Sequence, residues 1–109
     1  MKKNKPDVFA AIGDHNRREI LFYLTAGDLS VNSLAGKFKI SRPAVSKHLK
    51  LLEAAGLISV TDKGRERICA LDEKGFSEIK DWLSFYDKFW TKKLTSLENL
   101  LKERTKNKK

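Results

Sequence analysis

The residues best suited to chemistry lie in a short basic segment in the middle of the chain. This segment runs Ser41-Arg42-Pro43-Ala44-Val45-Ser46-Lys47-His48-Leu49-Lys50. On a helix of about 100° per residue, Val45 and Leu49 share one side, and Ser46, Lys47 and Lys50 share the opposite side. Lysine and arginine pair with phosphates, and an arginine can also form two hydrogen bonds to a guanine. The polar face therefore predicts binding to DNA, although an ordinary solvated helix face would carry the same lysines.

Enzyme chemistry has no comparable basis in this sequence. It contains no glycine-rich phosphate loop, and no Ser/His/Asp set, pair of carboxylates or metal cluster can be assembled from its residues. The single Cys69 has no partner for an internal disulfide or a thiolate metal site. We therefore expect a protein with no catalytic site, no metal ion and no cofactor. Cys69 lies in an apolar segment, where it is either an inert core residue or a redox switch.

The charge distribution favours a polyanionic partner. The net charge is +9 over 109 residues, a length that fits one domain, but residues 1–5 and 102–109 together carry +7 of it. Residues 37–67 hold eight basic side chains against three acidic ones, a net of +5. Residues 6–36 and 68–101 together are net negative by 3. The positive charge is therefore concentrated on one stretch, as a nucleic-acid footprint requires.

Capping residues divide the first half of the chain into short helices. Asp14, Ser30 and Ser41 each precede apolar residues at helical spacing, and side chains of these types favour the N-cap position. Gly27 and Gly56 mark helix ends. Two helices separated by a tight turn, over about residues 30–56, form the arrangement of a helix-turn-helix. In that motif the second helix, which here carries the basic face, enters the major groove of DNA.

A β-hairpin is predicted directly after the basic helix, over about residues 57–71. The segments 57–61 and 68–71 are rich in strand-forming residues, and Asp62–Arg65 forms the turn between them, with Gly64 where a positive φ is needed. Lys63, Arg65 and Arg67 lie at or beside the tip, from which they can reach phosphates or the minor groove. Such a hairpin is a wing. Tips of hairpins are also basic simply because they are exposed, and this alternative stays open.

The last predicted element is a long amphipathic helix over about residues 73–104. Its apolar arc is wider than a helix lying on one small domain needs to cover. Pairing with a second copy would bury the aromatic side chains and set two DNA-reading helices about one helical turn of DNA apart. The alternative is a helix that folds back wholly on its own core. The residues expected at the dimer interface are Phe9, Ile79, Trp82, Leu83, Tyr86, Phe89, Trp90, Leu94 and Leu97.

The fold class expected from these elements is mainly α with a small β-hairpin, a winged helix-turn-helix with a long C-terminal dimerisation helix. The order of elements and several strings resemble the ArsR/SmtB-type family of bacterial winged-helix repressors, over residues 8 to about 71. The strings are Gly13–Leu21, Leu29–Ala35, Ile40–Ile58 and Lys63–Arg67. A tail with Asp81-Trp82-Leu83 and Phe89-Trp90 is similar to a branch of that family that does not sense metals.

The resemblance implies a symmetric dimer that occupies a promoter and dissociates when an inducer binds. Metal-sensing members carry cysteines at the positions that Ser30 and Asn32 fill here, and neither residue is a thiolate donor. Other members bind zinc through ligands on the terminal helices, but residues 76–109 contain no histidine. The resemblance therefore points to a regulator that is not a metal sensor. His48 aligns with a histidine of the family's recognition helix and is expected close to DNA or in packing.

The expected DNA contacts follow from these positions. Arg42, Ser46 and Lys47 would face base edges, while Lys50, Lys63 and Arg65, with His48, would mainly hold phosphates. A winged-helix module that binds an acidic protein partner, without sequence-specific DNA binding, is the alternative. Since no apolar stretch could span a membrane, we expect a cytoplasmic protein, with an inducer or antagonist protein as an open further partner. The full set of expected DNA-binding residues is Ser41, Arg42, Pro43, Ala44, Ser46, Lys47, His48, Lys50, Lys63, Arg65 and Arg67.

Overall fold

Helices precede, separate and follow a small sheet in the computed structural model, which describes residues 7–107. The sheet has three antiparallel strands, of which Glu66–Leu71 lies in the middle, between Leu29–Ser30 and Ile58–Lys63. The predicted fold class, a mainly helical winged helix-turn-helix with a long C-terminal helix, is confirmed. The elements are α1 (Val8–Ala11), α2 (His15–Leu24), β1 (Leu29–Ser30), α3 (Val31–Ala35), α4 (Arg42–Ala54), β2 (Ile58–Lys63), β3 (Glu66–Leu71) and α5 (Glu73–Asn107).

The described chain falls into two compact units, one ending at Ile79 and the other beginning at Lys80. The apolar core of the first unit takes residues from α1, α2, α3, α4, β2 and β3. Burying side chains of this size stabilises the fold by about 1.5–3 kcal/mol each. The most deeply buried of the large ones are Ile20, Leu34, Leu52, Leu57, Ile58, Val8, Val45 and Cys69.

Helices α2, α3 and α4 each begin after an N-cap residue whose side chain bonds to the first turn. The side chains of Asp14, Ser30 and Ser41 each accept a hydrogen bond from the backbone N–H three residues later, at 3.1, 3.0 and 3.2 Å. Their predicted N-cap roles are confirmed. Pro43 lies in the first turn of α4, and Gly56 follows this helix with a φ of 81°, a left-handed conformation that favours glycine.

The hairpin is longer and tighter than predicted. The β2–β3 ladder runs from the pair Ile58–Leu71 to the pair Lys63–Glu66, which leaves only Gly64 and Arg65 in the loop. The predicted turn over Asp62–Arg65 is therefore wrong at its start, because pairing with β3 holds Asp62 and Lys63 in the strand. Gly64 has a φ of 64°, as the tight connection requires. Strand β1 was not predicted, since its two residues are defined by pairing with Cys69 and Ile68 of β3.

Helix α5 extends to Asn107, slightly beyond the predicted end. Its first turn is attached to the end of α4, where the Gly75 N–H donates to the Gly56 carbonyl at 2.7 Å. Within residues 7–107, none of the helices is both long enough and apolar enough to cross a membrane.

Candidate nucleic-acid interface

Helix α4 presents a polar face because its apolar face is held in the core. Val45, Leu49 and Leu52 are no more than 4% exposed. Lys47 and Lys50 are exposed on the other side, and Ser46 is half-buried between them. At the beginning of the helix Ser41, Arg42 and Pro43 are exposed and Ala44 is half-buried. The predicted division of the helix into buried and exposed faces is confirmed.

Arg42 is held by a residue of the preceding helix. Its Nη2 donates a hydrogen bond to Oδ1 of Asn32, which is exposed at the start of α3. The contact joins the two helices of the helix-turn-helix at their exposed ends. This contact was not predicted from the sequence, since the two residues are ten positions apart and no local pattern links them. The sequence singles out Asn32 only as a position at which metal-sensing members of the resembled family carry a cysteine.

The basic side chains of the hairpin are exposed, but one of them is already paired. Arg67 Nε lies 3.3 Å from Oδ1 of Asp62, its partner across the ladder, and both side chains are more than half exposed. An exposed ion pair of this kind contributes about 0–1 kcal/mol, so an incoming phosphate can replace the carboxylate. Lys63 and Arg65 are exposed at the tip.

A cleft of about 270 Å³ brings α3, α4 and the hairpin together. It contains three arginines and one carboxylate, so its charge is positive. A neighbouring cavity, also of about 270 Å³, shares Ser46 and Arg67 with it and adds Lys50 and Glu53. The structure thus assembles Arg42, Ser46, Arg65 and Arg67 at one place. The residues lining the first cleft are Ser30, Val31, Asn32, Arg42, Ser46, Arg65, Glu66 and Arg67.

His48 lies apart from this cleft and faces α2. Its side chain is 18% exposed, with Nδ1 3.2 Å from Nη1 of Arg17 and Nε2 3.9 Å from Oδ2 of Asp14. The backbone N–H of Arg17 donates to the Asp14 carboxylate and lowers the pKa of that group. Partial burial opposes this shift, and the electrostatic influence of the nearby His48 and Arg17 side chains adds to it. The ring of His48 therefore lies between a guanidinium and a carboxylate of the protein itself.

Cys69 is fully buried in β3, and burial raises the pKa of its thiol. A protonated thiol without solvent access is a poor nucleophile. The structure therefore favours the inert core role over the redox switch. Among the residues that the structure describes, no three or more His, Cys, Asp or Glu side chains gather where they could hold a metal ion.

In the second unit, α5 exposes a continuous set of large apolar side chains. Trp82 and Tyr86 pack edge to face with ring centroids 5.2 Å apart, and Phe89 and Trp90 do the same at 5.2 Å. Trp82, Tyr86 and Trp90 also line a shallow groove with Leu83 and Asp87. In the first unit, Phe9 and Ile79 are half-buried against the core. The exposed members of the expected dimer interface are Trp82, Leu83, Tyr86, Phe89, Trp90, Leu94 and Leu97.

The sequence and the arrangement of elements resemble those of known proteins. Residues 14–60 match the family described as bacterial regulatory protein, arsR family. The chain is also 39% identical over 97 residues to the HTH-type transcriptional regulator Rv2034 of Mycobacterium tuberculosis, and the alignment covers 88% of both chains. The protein belongs to the ArsR family. It is 37% identical over 83 residues to the transcriptional repressor SdpR of Bacillus subtilis, across 75% of this chain and 92% of SdpR.

Solved structures of ArsR-like proteins have the same fold as this ArsR-family chain. An ArsR-like transcriptional regulator from Rhodococcus sp. RHA1 superposes with a TM-score of 0.66 at 33% identity, covering 86% of this chain and 89% of that one. An ArsR-family regulator designated RHA00566 gives a TM-score of 0.71 at 33% identity, covering 78% and 88%. The predictions of the family and of a DNA-binding transcriptional regulator that is not an enzyme are confirmed.

Proposed function

We propose that this ArsR-family regulator is a homodimeric repressor that binds an inverted-repeat operator. The observation that carries the proposal is the cleft in which Arg42 and Ser46 of the helix-turn-helix meet Arg65 and Arg67 of the hairpin. A DNA backbone that passes between a major groove filled by α4 and a minor groove reached by the hairpin would run along this cleft. The cleft therefore suits one phosphate backbone of a DNA duplex, with α4 on one side of it and the hairpin on the other.

The side chains divide into base-reading and phosphate-holding groups. Arg42, Ser46 and Lys47 lie on or near the exposed face of α4, where they can reach base edges, while Pro43 and Ala44 shape the start of the helix. The exposed Ser41 lies beside them. Because Asn32 holds the Arg42 guanidinium, this arginine is the best candidate for a two-hydrogen-bond contact to a guanine. The phosphate-holding group consists of Lys50, Lys63, Arg65 and Arg67.

The dimer is proposed on the basis of the exposed apolar face of α5. Side chains such as Trp90 and Leu94, which are 56% and 60% exposed, would be buried by the same face of a second copy. Phe9 and Ile79 of the first unit complete the set of residues proposed for the dimer interface. An inverted repeat is the DNA site that matches such a two-fold axis. Repression follows if the dimer occupies a promoter, in the cytoplasm where the DNA lies, until an inducer or an antagonist protein releases it.

Selection of bound fragments from the source genome, followed by binding measurements, tests this proposal. A labelled duplex with the enriched inverted repeat is compared with a scrambled duplex of equal length by fluorescence anisotropy. We expect a preference of about 10³-fold or more for the repeat. We also expect log affinity to fall linearly with log salt between about 50 and 200 mM, as counterions are released. Equal affinity for both duplexes would contradict the proposal and would favour a module that binds an acidic protein.

A further inference from the structure

Arg17, at the start of α2, links three helices through one guanidinium group. Its Nε donates to the carbonyl of Ala11 at 2.7 Å, and its Nη2 donates to the carbonyl of Ala10 at 3.3 Å. Its Nη1 lies 3.2 Å from Nδ1 of His48. The first two bonds occupy carbonyls at the end of α1, and the third reaches the middle of α4. A single side chain therefore connects the end of α1 to α4.

The chemistry of the two side chains sets the direction of this third hydrogen bond. A guanidinium has only donors and stays protonated in proteins. Nδ1 of His48 must therefore accept the bond, which places the ring proton of the neutral imidazole on Nε2. That nitrogen faces the Asp14 carboxylate at 3.9 Å, and Asp14 is itself held as the N-cap of α2. Both ring nitrogens are thus directed at groups of the protein.

We propose that His48 is a positioning residue, which fixes the rotation of α4 against α1 and α2 and makes no contact with DNA. This inference rests on the proposed reading of DNA by α4. The apolar contacts of Val45 and Leu49 are not directional, so they hold α4 in the core without fixing its rotation closely. A hydrogen bond between residues 31 positions apart does fix it. Contacts to base edges tolerate only a few tenths of an ångström, so such a constraint acts on sequence preference.

Substitutions at His48 separate a positioning role from phosphate binding. Asparagine can place its amide oxygen close to the position of Nδ1, whereas glutamine reaches instead towards the position of Nε2. We expect His48→Asn to keep the operator preference within about threefold, and His48→Gln and His48→Leu to lower it about tenfold, with the salt dependence unchanged in all three. A phosphate ligand would behave differently. Equal loss on operator and scrambled DNA in all three variants, with a salt slope smaller by about 1, would overturn the inference.

Arg17→Lys supplies a second, independent variant, since lysine keeps the charge but lacks the planar set of donors. We expect it to lower the operator preference as His48→Gln does. The double variant of Arg17→Lys with His48→Gln should lose no more operator preference than the more strongly affected single variant, because both substitutions remove the contact between these two side chains. Additive losses in the double variant would overturn the coupling. Circular dichroism and thermal melting identify any variant that fails to fold. If a variant fails, the NMR measurement on the wild-type protein still tests the contact.

The tautomer of His48 tests the contact without DNA. ¹⁵N NMR of the wild-type imidazole should give a protonated Nε2 and an unprotonated, hydrogen-bonded Nδ1, and Arg17→Lys should shift the Nδ1 resonance. A proton found on Nδ1 in the neutral ring would overturn the inference, whatever the DNA measurements give. Absence of any operator preference in the wild-type protein would instead overturn the proposed function and, with it, the role of His48 in reading DNA.

Discussion

Two basic residues of the proposed interface are expected to make different kinds of contact with DNA. Arg42, at the start of α4, donates a hydrogen bond to Asn32, whereas Lys63 lies at the exposed tip of the hairpin. We expect Arg42→Ala to cost about 1–3 kcal/mol on the operator and to relax the preference at one position, because a fixed guanidinium can discriminate guanine. A panel of operators with single base-pair changes measures this.

Lys63→Ala is the matched control for Arg42→Ala. A lysine that holds only phosphates should weaken binding to all sequences alike and reduce the salt slope by about 1. The same operator panel and a salt titration measure both effects. If Arg42→Ala also lost equal affinity on operator and scrambled DNA, arginine at this position would not read a base.

The buried thiol of Cys69 makes stability depend on alkaline pH. Burial raises the pKa of this thiol in the folded protein, so the folded state keeps its proton while the unfolded chain loses it above about pH 8.5. The unfolded state then binds fewer protons, and the free energy of unfolding falls as pH rises through this range. Urea denaturation between about pH 7.5 and 10 should therefore show a larger decrease for the wild type than for Cys69→Ala. Equal decreases in the two proteins would show that the thiol does not contribute.

The features of helices and strands that are set by neighbouring residues could be predicted from the sequence. Asp14, Ser30 and Ser41 cap their helices through backbone groups three residues away, so their side chains carry the signal locally. Strand β1 could not be predicted, because two residues become a strand only by pairing with β3, about forty residues later. The extent of the hairpin also depends on cross-strand pairing, and the sequence patterns placed its turn too early.

The same distinction applies to the candidate site. The exposed face of α4 follows from helical spacing, and the basic residues of the hairpin follow from composition. Two contacts that organise the site, Asn32 with Arg42 and Arg17 with His48, join side chains 10 and 31 residues apart. Such contacts require the packing of α3 and α2 against α4, which no local pattern encodes. The sequence thus identified many of the basic residues but not the groups that hold them.

The junction between α4 and α5 depends on the missing side chain of Gly75. A Cβ at this position would lie 2.8 Å from Leu57 Cδ2 and 2.9 Å from the Gly56 carbonyl oxygen. Since the second of these is a backbone atom, the first turn of α5 would have to move. Relieving this clash should cost about 1–3 kcal/mol, whereas alanine gains only about 1 kcal/mol over glycine in a helix. We therefore expect Gly75→Ala to lower the free energy of unfolding of the first unit. Urea denaturation measures the difference.

Gly36→Ala is the control for this substitution. Gly36 ends α3 with a φ of −68°, and a Cβ there would lie no closer than 3.5 Å to its neighbours. Alanine should therefore be tolerated, with a change within about 0.5 kcal/mol. The expectation would be contradicted if Gly75→Ala raised the stability as much as other glycine-to-alanine changes in helices do. The space between α5 and Leu57 would then accommodate a side chain.

For the whole molecule, the proposed dimer accounts for two features that one copy leaves unexplained. The apolar side chains of α5 are more exposed than those of a monomeric protein of this size usually are. One copy also presents one recognition helix, which can read only a few base pairs. Two copies related by a two-fold axis double the reading surface and bury the exposed face. Assembly and operator affinity should therefore be lost together.

Trp90→Glu tests this link, because it places a charge in the middle of the exposed face of α5. Charge at a buried interface is costly, so we expect the variant to be monomeric by light scattering at concentrations where the wild type is dimeric. Without a linked second copy, its affinity for the inverted repeat should fall about 10²-fold or more, while its affinity for an isolated half-site changes less than about threefold. Phe22→Glu is the matched control, since Phe22 is an even more exposed aromatic residue, at 71% against 56%, but lies on α2. A Trp90→Glu protein that stays dimeric, or a Phe22→Glu protein with the same loss, would exclude this face of α5 as the interface.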